Sequence, residues 1–220
     1  MAALNVNKVF KFTQFVANKE NRGWVSVPEF NIASEVAQLT LYSELEGAYK
    51  INKKIEALLR PFVRTIGNLS SGSNDLPADI RISLNAWVSD VEGHPVQYVK
   101  IKEVDIAELP EIYHSQIVAP SVDYPIYYID WNESSKLSKA VILPDSFPYL
   151  VSISYIKIPT APEWIDTGDG SRPIYDSANS VDFEFDETAF LEISMRVLSH
   201  IGINIGKEEV TQYALTNNKG

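Results

Sequence analysis

Residues 149–164 read YLVSISYIKIPTAPEW and join a strand-like run to a proline-rich one. The run Tyr149–Ile158 is rich in β-branched and aromatic side chains, which favour the pleated surface of a sheet. Pro159 and Pro162 then end the pattern, because proline has no N–H to donate to a sheet ladder. The stretch predicts a sheet strand that continues into a stiff, extended arm ending at Trp164.

Working outward towards the N-terminus, four further runs read as strands. They are residues 80–87, 96–104, 126–130 and 140–143. Between the second and third, DIAELPEIYHSQI predicts a short helix with Asp105 near its cap, and PDSF at 144–147 indicates a turn. SSGSND at 70–75 has the composition of a loop. The order of strand, helix and further strands favours an α+β fold with a central, mostly antiparallel sheet.

The N-terminal region predicts a helical hairpin. Asn5 or Asn7 is a candidate cap for a first helix that carries several apolar side chains and ends near Gly23. The apolar residues of this helix are Val9, Phe10, Phe12, Phe15 and Val16.

A second, long helix begins at a stronger signal. Ser26 and Glu29 have the spacing of a capping box, and Pro28 falls in the first turn, where its missing N–H costs little. One apolar stripe comprises Phe30, Ala33, Ala37, Leu41 and Leu45, with Ile32, Val36 and Leu39 beside it. We expect Gly47 to end this helix and Pro61 to end a further helical turn or two.

On the C-terminal side of the opening stretch, residues 159–180 show no sustained period. A loop of this length inside a compact domain is unusual and generally functional. VDFEF at 181–185 alternates apolar and acidic residues like an edge strand, and Asp186 can cap a helix carrying Phe190 to Ile201. These features predict a helical region 1–66, a β-rich core 67–158, an extended arm 159–182 and a C-terminal helical segment 183–220, together forming one integrated domain.

Composition excludes several functional classes. The chain has no cysteine, so disulfide and thiolate chemistry are ruled out. Its net charge of −10 argues against general nucleic-acid binding, although the charge is uneven. Residues 1–66 hold nine Lys/Arg against six Asp/Glu, whereas the rest hold ten against twenty-three, so the two ends can face different partners. No secretory signal is recognisable, and no run reaches the ~18 apolar residues of a membrane span.

No catalytic, cofactor or metal site is predicted. His94, His114 and His200 are scattered without ligand spacing. Asp166-Thr167-Gly168 has the letters of an aspartic-protease motif, but that chemistry needs two facing carboxylates, so a turn is favoured. Trp131, between Asp130 and Asn132, is either a sugar-binding platform or a packed hairpin tryptophan. The chain is also rich in tyrosine and tryptophan, which are enriched at interfaces.

Three stretches taken in order resemble structural proteins of crAss-like and related Bacteroidetes-infecting bacteriophages. The first is NVNKVFKFTQFVANKENRGWVSVPEFNIASEVAQLTLYSEL at 5–45, and the second is ALLRPF at 57–62 followed by LPADIRISLNAW at 76–87. The third is YIKIPTAPEW, PIYDSANSVDFEF and LEISMRVLSHIGINI between 155 and 205. Residues 90–140 have no counterpart in the family pattern.

The resemblance implies a non-enzymatic virion protein, made in the host cytoplasm, at the tail or head–tail junction. It would be a ring-forming connector or tail-tube subunit, dodecameric, in contact with the portal or other tail rings. Genomic DNA would pass through without specific binding, and neither cofactor nor membrane is implied. In such a ring, Pro159, Pro162, Trp164 and Tyr175 would form an interface, with Trp164 filling a neighbour's pocket. Two alternatives stay open: an arm packed on its own core, and a tail-associated module that binds carbohydrate or a receptor through Trp131.

Overall fold

The computed structural model describes residues 3–19, 23–49, 53–90, 100–115, 118–168 and 173–203. Helices and strands both contribute, so the predicted α+β class is confirmed. In chain order the elements are β1 Ala3–Leu4, α1 Val6–Lys19, α2 Val27–Glu46, α3 Lys53–Leu59, β2 Val63–Leu69, β3 Gly72–Asp75, β4 Ile80–Asp90, β5 Lys100–Glu103, α4 Leu109–His114, β6 Ile126–Asn132, β7 Leu137–Leu143, β8 Leu150–Lys157, β9 Phe183–Asp186 and α5 Phe190–His200.

The chain divides into two compact units. A helical unit combines Met1–Pro61 with Pro159–Gly220, and a sheet unit comprises Phe62–Ile158. The arm and the C-terminal helix therefore belong with the N-terminal helices. The division falls close to the predicted boundaries, which placed the start of the β-rich core at residue 67 and that of the arm at residue 159.

In the helical unit, short polar side chains set the helix starts. Asn5 caps α1, because its Oδ1 accepts from the backbone N–H of Lys8 at 3.2 Å. Ser26 and Glu29 form the predicted capping box at the start of α2, with Pro28 in the first turn, and α2 ends immediately before Gly47. Asp186 accepts from the backbone N–H of Thr188 at 2.9 Å and leads through a short 3₁₀ turn into α5. These local signals were predicted correctly.

The core of the helical unit lies where α5 packs against both α1 and α2. Phe30, Ala33, Ala37 and Leu41 of α2 are buried as predicted, and Leu45 is half-buried. After α5, Gly202 adopts φ +84°, and the N–H of Ile203 returns to the carbonyl of Leu198 at 2.8 Å, which is a left-handed C-terminal cap. The two-stranded ladder β1–β9 adds the edge strand expected near 181–185.

The sheet unit is a seven-stranded sheet in the order β2-β8-β4-β5-β6-β7-β3. Every described pair is antiparallel except β5–β6. β8, the strand of the opening stretch, lies between β2 and β4 and is largely buried. Its inner face joins a core formed by Leu69, Leu76, Ala86, Val88, Ile101, Tyr127, Ala140, Ile142, Phe147, Val151 and Ile153.

Two edge strands were missed from the sequence. Residues 70–75, expected to be a loop, contain β3, which pairs with β7 from Gly72↔Ile142 to Asp75↔Lys139. Its polar composition hides it, because the pairing is carried by backbone groups. The Asn74 side chain fixes the preceding turn by donating to the Ser70 carbonyl at 2.7 Å. The other missed strand is β2, which adjoins the Pro61 helix stop.

The parallel pair β5–β6 requires a crossover, and residues 104–125 supply it. Asp105 caps this segment as predicted, accepting from the Ala107 N–H at 2.9 Å before α4. Val104, Ile126 and Leu143 form a small satellite core beneath the crossover, with Leu109 and Ile112 packed against it. Residues 96–99 of the expected strand lie outside the described part of the chain.

Candidate functional site

The predicted arm is part of the helical unit's own core. Pro159, Pro162 and Trp164 are buried, and Trp164 is only 2% exposed. The Trp164 ring stacks on Phe10 with 4.4 Å between centroids. Tyr175 is half-buried and lies 5.7 Å from the same indole. The prediction that Trp164 fills a neighbour's pocket is therefore corrected: its pocket is built by its own chain.

Polar contacts hold this tryptophan at three points. The Trp164 backbone N–H donates to Asn31 Oδ1 at 2.9 Å, and Asn31 Nδ2 donates to the Trp164 carbonyl at 3.1 Å. The indole Nε1–H donates to Asn7 Oδ1 at 3.2 Å. Asn5 is therefore the residue that caps α1, and Asn7 instead accepts the hydrogen bond from the Trp164 indole.

Isolated backbone bridges turn the arm back on itself. Glu163 pairs with Val181 and Asp166 with Tyr175, both antiparallel. The Asp166 carboxylate accepts from the backbone N–H groups of Gly168 at 2.7 Å and Ile174 at 2.6 Å. This carboxylate organises a turn, as the sequence favoured. Asp169 lies outside the described residues.

The sheet unit carries an exposed tryptophan in strand β6 of the β6–β7 hairpin. Trp131 is 55% exposed, so the packed-hairpin interpretation of this residue is wrong. Its polar neighbours are occupied: Asp130 pairs with Lys139 at 3.0 Å, and Asn132 donates to Asp75 at 2.8 Å. The hydrogen bond from Lys139 holds the pKa of Asp130 below its usual value.

A second polar group, missed from the sequence, links β4, β5 and β6. The hydroxyls of Tyr127, at 3.0 Å, and of Ser83 both donate to Glu103 Oε2. Tyr127 is 1% exposed, and burial raises the pKa of its hydroxyl far above the usual range. A phenol held protonated against a carboxylate ties the strands together. This group could not be predicted from the sequence, because polar residues within strands are too common to identify these three.

The crossover carries a group of exposed apolar side chains. In its described part, residues 105–115 and 118–125, five such side chains are at least two-fifths exposed. They are Ile106 45%, Tyr113 55%, Val118 56%, Val122 43% and Tyr124 71%. A group of large exposed apolar side chains within one segment of a folded protein is a candidate binding surface, whereas scattered single residues are ordinary. The exposure of these side chains could not be predicted, because this segment lacks a clear hydrophobic period.

Among the described residues no group of three His, Cys, Asp or Glu side chains could hold a metal ion. His114 ends α4 and His200 ends α5, both exposed, and His94 lies outside the described ranges. None of the described helices is long and apolar enough to cross a membrane.

No protein-family model matches the chain. No curated protein matches it significantly either.

Proposed function

We propose that this protein is a non-enzymatic virion structural protein of a crAss-like, Bacteroidetes-infecting bacteriophage. It would be a ring-forming subunit of the head–tail connector or tail tube, below the portal, in a ring expected to be dodecameric. Its partners would be further copies of itself together with the portal or neighbouring tail rings. The proposal joins the sequence resemblance to the surfaces that each unit exposes.

The observation that carries the proposal is the group of exposed apolar side chains in the described part of the crossover, residues 105–115 and 118–125. Tyr113, Val118 and Tyr124 are each more than half exposed. Large aromatic and aliphatic side chains in this state leave apolar area in contact with water. Burying that area is favourable by about 25 cal/mol per Å². A subunit that is covered by others in an assembly regains that free energy on association.

The charge balance fits a DNA conduit. Twenty-nine acidic residues outnumber nineteen basic ones, and the excess lies after residue 66. A wall of this sign does not hold phosphates through counter-ion release, so DNA would slide past it rather than bind.

Native mass spectrometry and negative-stain imaging of the purified protein test the proposal. We expect closed rings, and we expect Tyr124→Asp to weaken them at unchanged circular dichroism. Ser134→Asp, at an exposed polar turn of the same unit, is the matched control and should leave assembly intact. A monomer at all accessible concentrations, or a virion map without this chain, would count against the ring.

A second candidate function is a tail-associated module that binds carbohydrate, and the exposure of Trp131 favours it. An open indole face can stack on a sugar ring, although Asp130 and Asn132 are engaged within the unit. Glycan-array screening followed by titration of tryptophan fluorescence tests this function. Binding that is lost in Trp131→Ala, together with absence of rings, would select the binding module over the structural subunit.

A further inference from the structure

Helix α2 has apolar side chains on two opposite sides. Phe30, Ala33, Ala37 and Leu41 face the core, whereas Ile32, Val36 and Leu39 are 65%, 39% and 38% exposed. The exposed residues follow each other at spacings of four and three, so they form a continuous stripe on the outer side. A helix on the surface of a monomer normally has one apolar stripe, which faces its own core. A second apolar stripe indicates a binding partner that covers it.

This α2 stripe is set in an acidic helix. The sequence of α2, VPEFNIASEVAQLTLYSELE, contains four glutamates and no lysine or arginine, although Glu44 pairs with Arg196 and Glu29 is engaged by Ser26 in the capping box. Glu35 is exposed beside Ile32 and Leu39, since a helix places residues three and four apart on one side. A partner of this stripe should therefore combine an apolar side chain with basic ones.

Helix α1 has the complementary composition. Its sequence, VNKVFKFTQFVANK, contains three lysines and no acidic residue. Lys8, Lys11, Phe15 and Lys19 are all exposed, and their spacings of three, four and four align them on one side. Phe15, 44% exposed, thus lies at the centre of a basic α1 stripe. Lys8 is engaged by Glu187, which leaves Lys11 and Lys19 as the basic flanks.

We propose that the α2 stripe of one copy binds the α1 stripe of the next copy. Phe15 would pack among Ile32, Val36 and Leu39, and Lys11 would pair with Glu35. The inference rests on the proposed function, since it names the contact through which that subunit associates.

The two stripes lie on different helices of one unit, so each copy offers both halves of the contact. Such a contact is heterologous: it gives a ring when the rotation closes and a filament when it does not. An isologous dimer would instead bring two α2 stripes together, and the acidic flanks would then repel each other.

Charge exchange provides the first test, read by native mass spectrometry and sedimentation. We expect Ile32→Asp to weaken association by roughly 10-fold or more, as for a central apolar contact. Lys11→Glu and Glu35→Lys should each weaken it, and the double variant Lys11→Glu/Glu35→Lys should restore it. Glu163→Lys, an exposed charge reversal on the arm of the same unit, is the control.

The absence of native cysteine permits a second test. Phe15→Cys and Val36→Cys proteins, mixed and oxidised, should give a disulfide-linked heterodimer in preference to either homodimer. Preference for the Val36→Cys homodimer would overturn the heterologous contact.

The outcomes separate the contact from the function. Rings that form normally in all stripe variants and give no Phe15–Val36 cross-link would overturn this contact and leave the ring subunit standing. A wild-type protein that stays monomeric would overturn both. Weakening by single charge reversals with recovery in the double variant supports both.

Discussion

Replacing Trp164 by alanine tests whether the proline-rich arm belongs to its own subunit. The indole is 2% exposed, stacks on Phe10 at 4.4 Å and donates to Asn7 at 3.2 Å. The substitution removes all three contributions but keeps the backbone bonds with Asn31. It therefore tests the contribution of the Trp164 side chain separately from that of the arm's backbone hydrogen bonds.

The magnitude follows from the size and burial of the side chain. Truncating a buried Phe or Trp to alanine costs about 3–5 kcal/mol, including the cavity left behind. Ring stacking of about 0.5–1.5 kcal/mol and a hydrogen bond of about 1 kcal/mol form part of that total. Because a domain is stable by only about 5–15 kcal/mol, the helical unit should lose a large share of its stability. The melting temperature should fall by roughly 10–20 °C.

Urea denaturation followed by far-ultraviolet circular dichroism measures this loss, since the helical signal comes mainly from that unit. Trp24→Ala is the matched control, because Trp24 belongs to the same unit and is 59% exposed. Trp164→Phe should fall between, as it keeps an aromatic ring but loses the indole N–H. A Trp164→Ala protein that unfolds like wild type, yet no longer assembles, would refute the intramolecular packing and return Trp164 to a neighbour's pocket.

Four further substitutions test individual contacts by the same denaturation assay. Ser26→Ala removes the capping box of α2 and should cost about 1 kcal/mol; an unchanged midpoint would refute the cap. Leu41→Ala, at a site only 7% exposed, should cost about 2–5 kcal/mol, and a smaller loss would mean that α2 is rotated. Gln38→Ala removes the hydrogen bonds of a buried side chain to the Glu184 N–H and the Thr160 carbonyl and should cost about 1–3 kcal/mol; an unchanged midpoint would refute their contribution. Ser194→Ala should be neutral or stabilising by up to about 1 kcal/mol, because its buried hydroxyl has no partner among the described residues; marked destabilisation would reveal one.

Features encoded within a few residues could be predicted from the sequence. Ser26 and Glu29, Asp105 and Asp186 each satisfy backbone N–H groups two or three positions away, so their spacing alone locates a helix start. The alternation of apolar and β-branched residues located β4, β6, β7 and β8 for a similar reason, since the side-chain period of a strand is local.

Features that depend on distant partners could not be predicted. The polar strand β3 exists because β7 offers a free ladder, and residues 72–75 carry no apolar signal of their own. Likewise the pocket of Trp164 is assembled from Asn7, Phe10 and Asn31, more than 130 positions away along the chain. The sequence showed a buried-type side chain after two prolines but not which surface would bury it.

The candidate interaction surface could be predicted in part. Ile32, Val36 and Leu39 were recognised beside the main α2 stripe, yet helical spacing alone does not say how wide the buried face is. In the structure the buried face of α2 also includes Gln38 and Tyr42, and the side opposite to it is exposed. Phe15 was listed with the other apolar residues of α1, and its 44% exposure separates it from the buried Phe10 and Val16.

Packing within one subunit explains why strand β8 is followed by a proline-rich segment. β8 must leave the sheet unit after Lys157, and Pro159 and Pro162 prevent the chain from continuing as a ladder strand. The buried Gln38 side chain then accepts from the Glu184 N–H at 3.1 Å and donates to the Thr160 carbonyl at 2.7 Å, fixing the arm and β9 to α2 together. Pro159, Pro162 and Trp164 are buried in their own subunit, so these three side chains are not available to contact a neighbour. If copies of this chain associate, we propose that they do so through the exposed stripes of α1 and α2 and the exposed apolar side chains of the crossover.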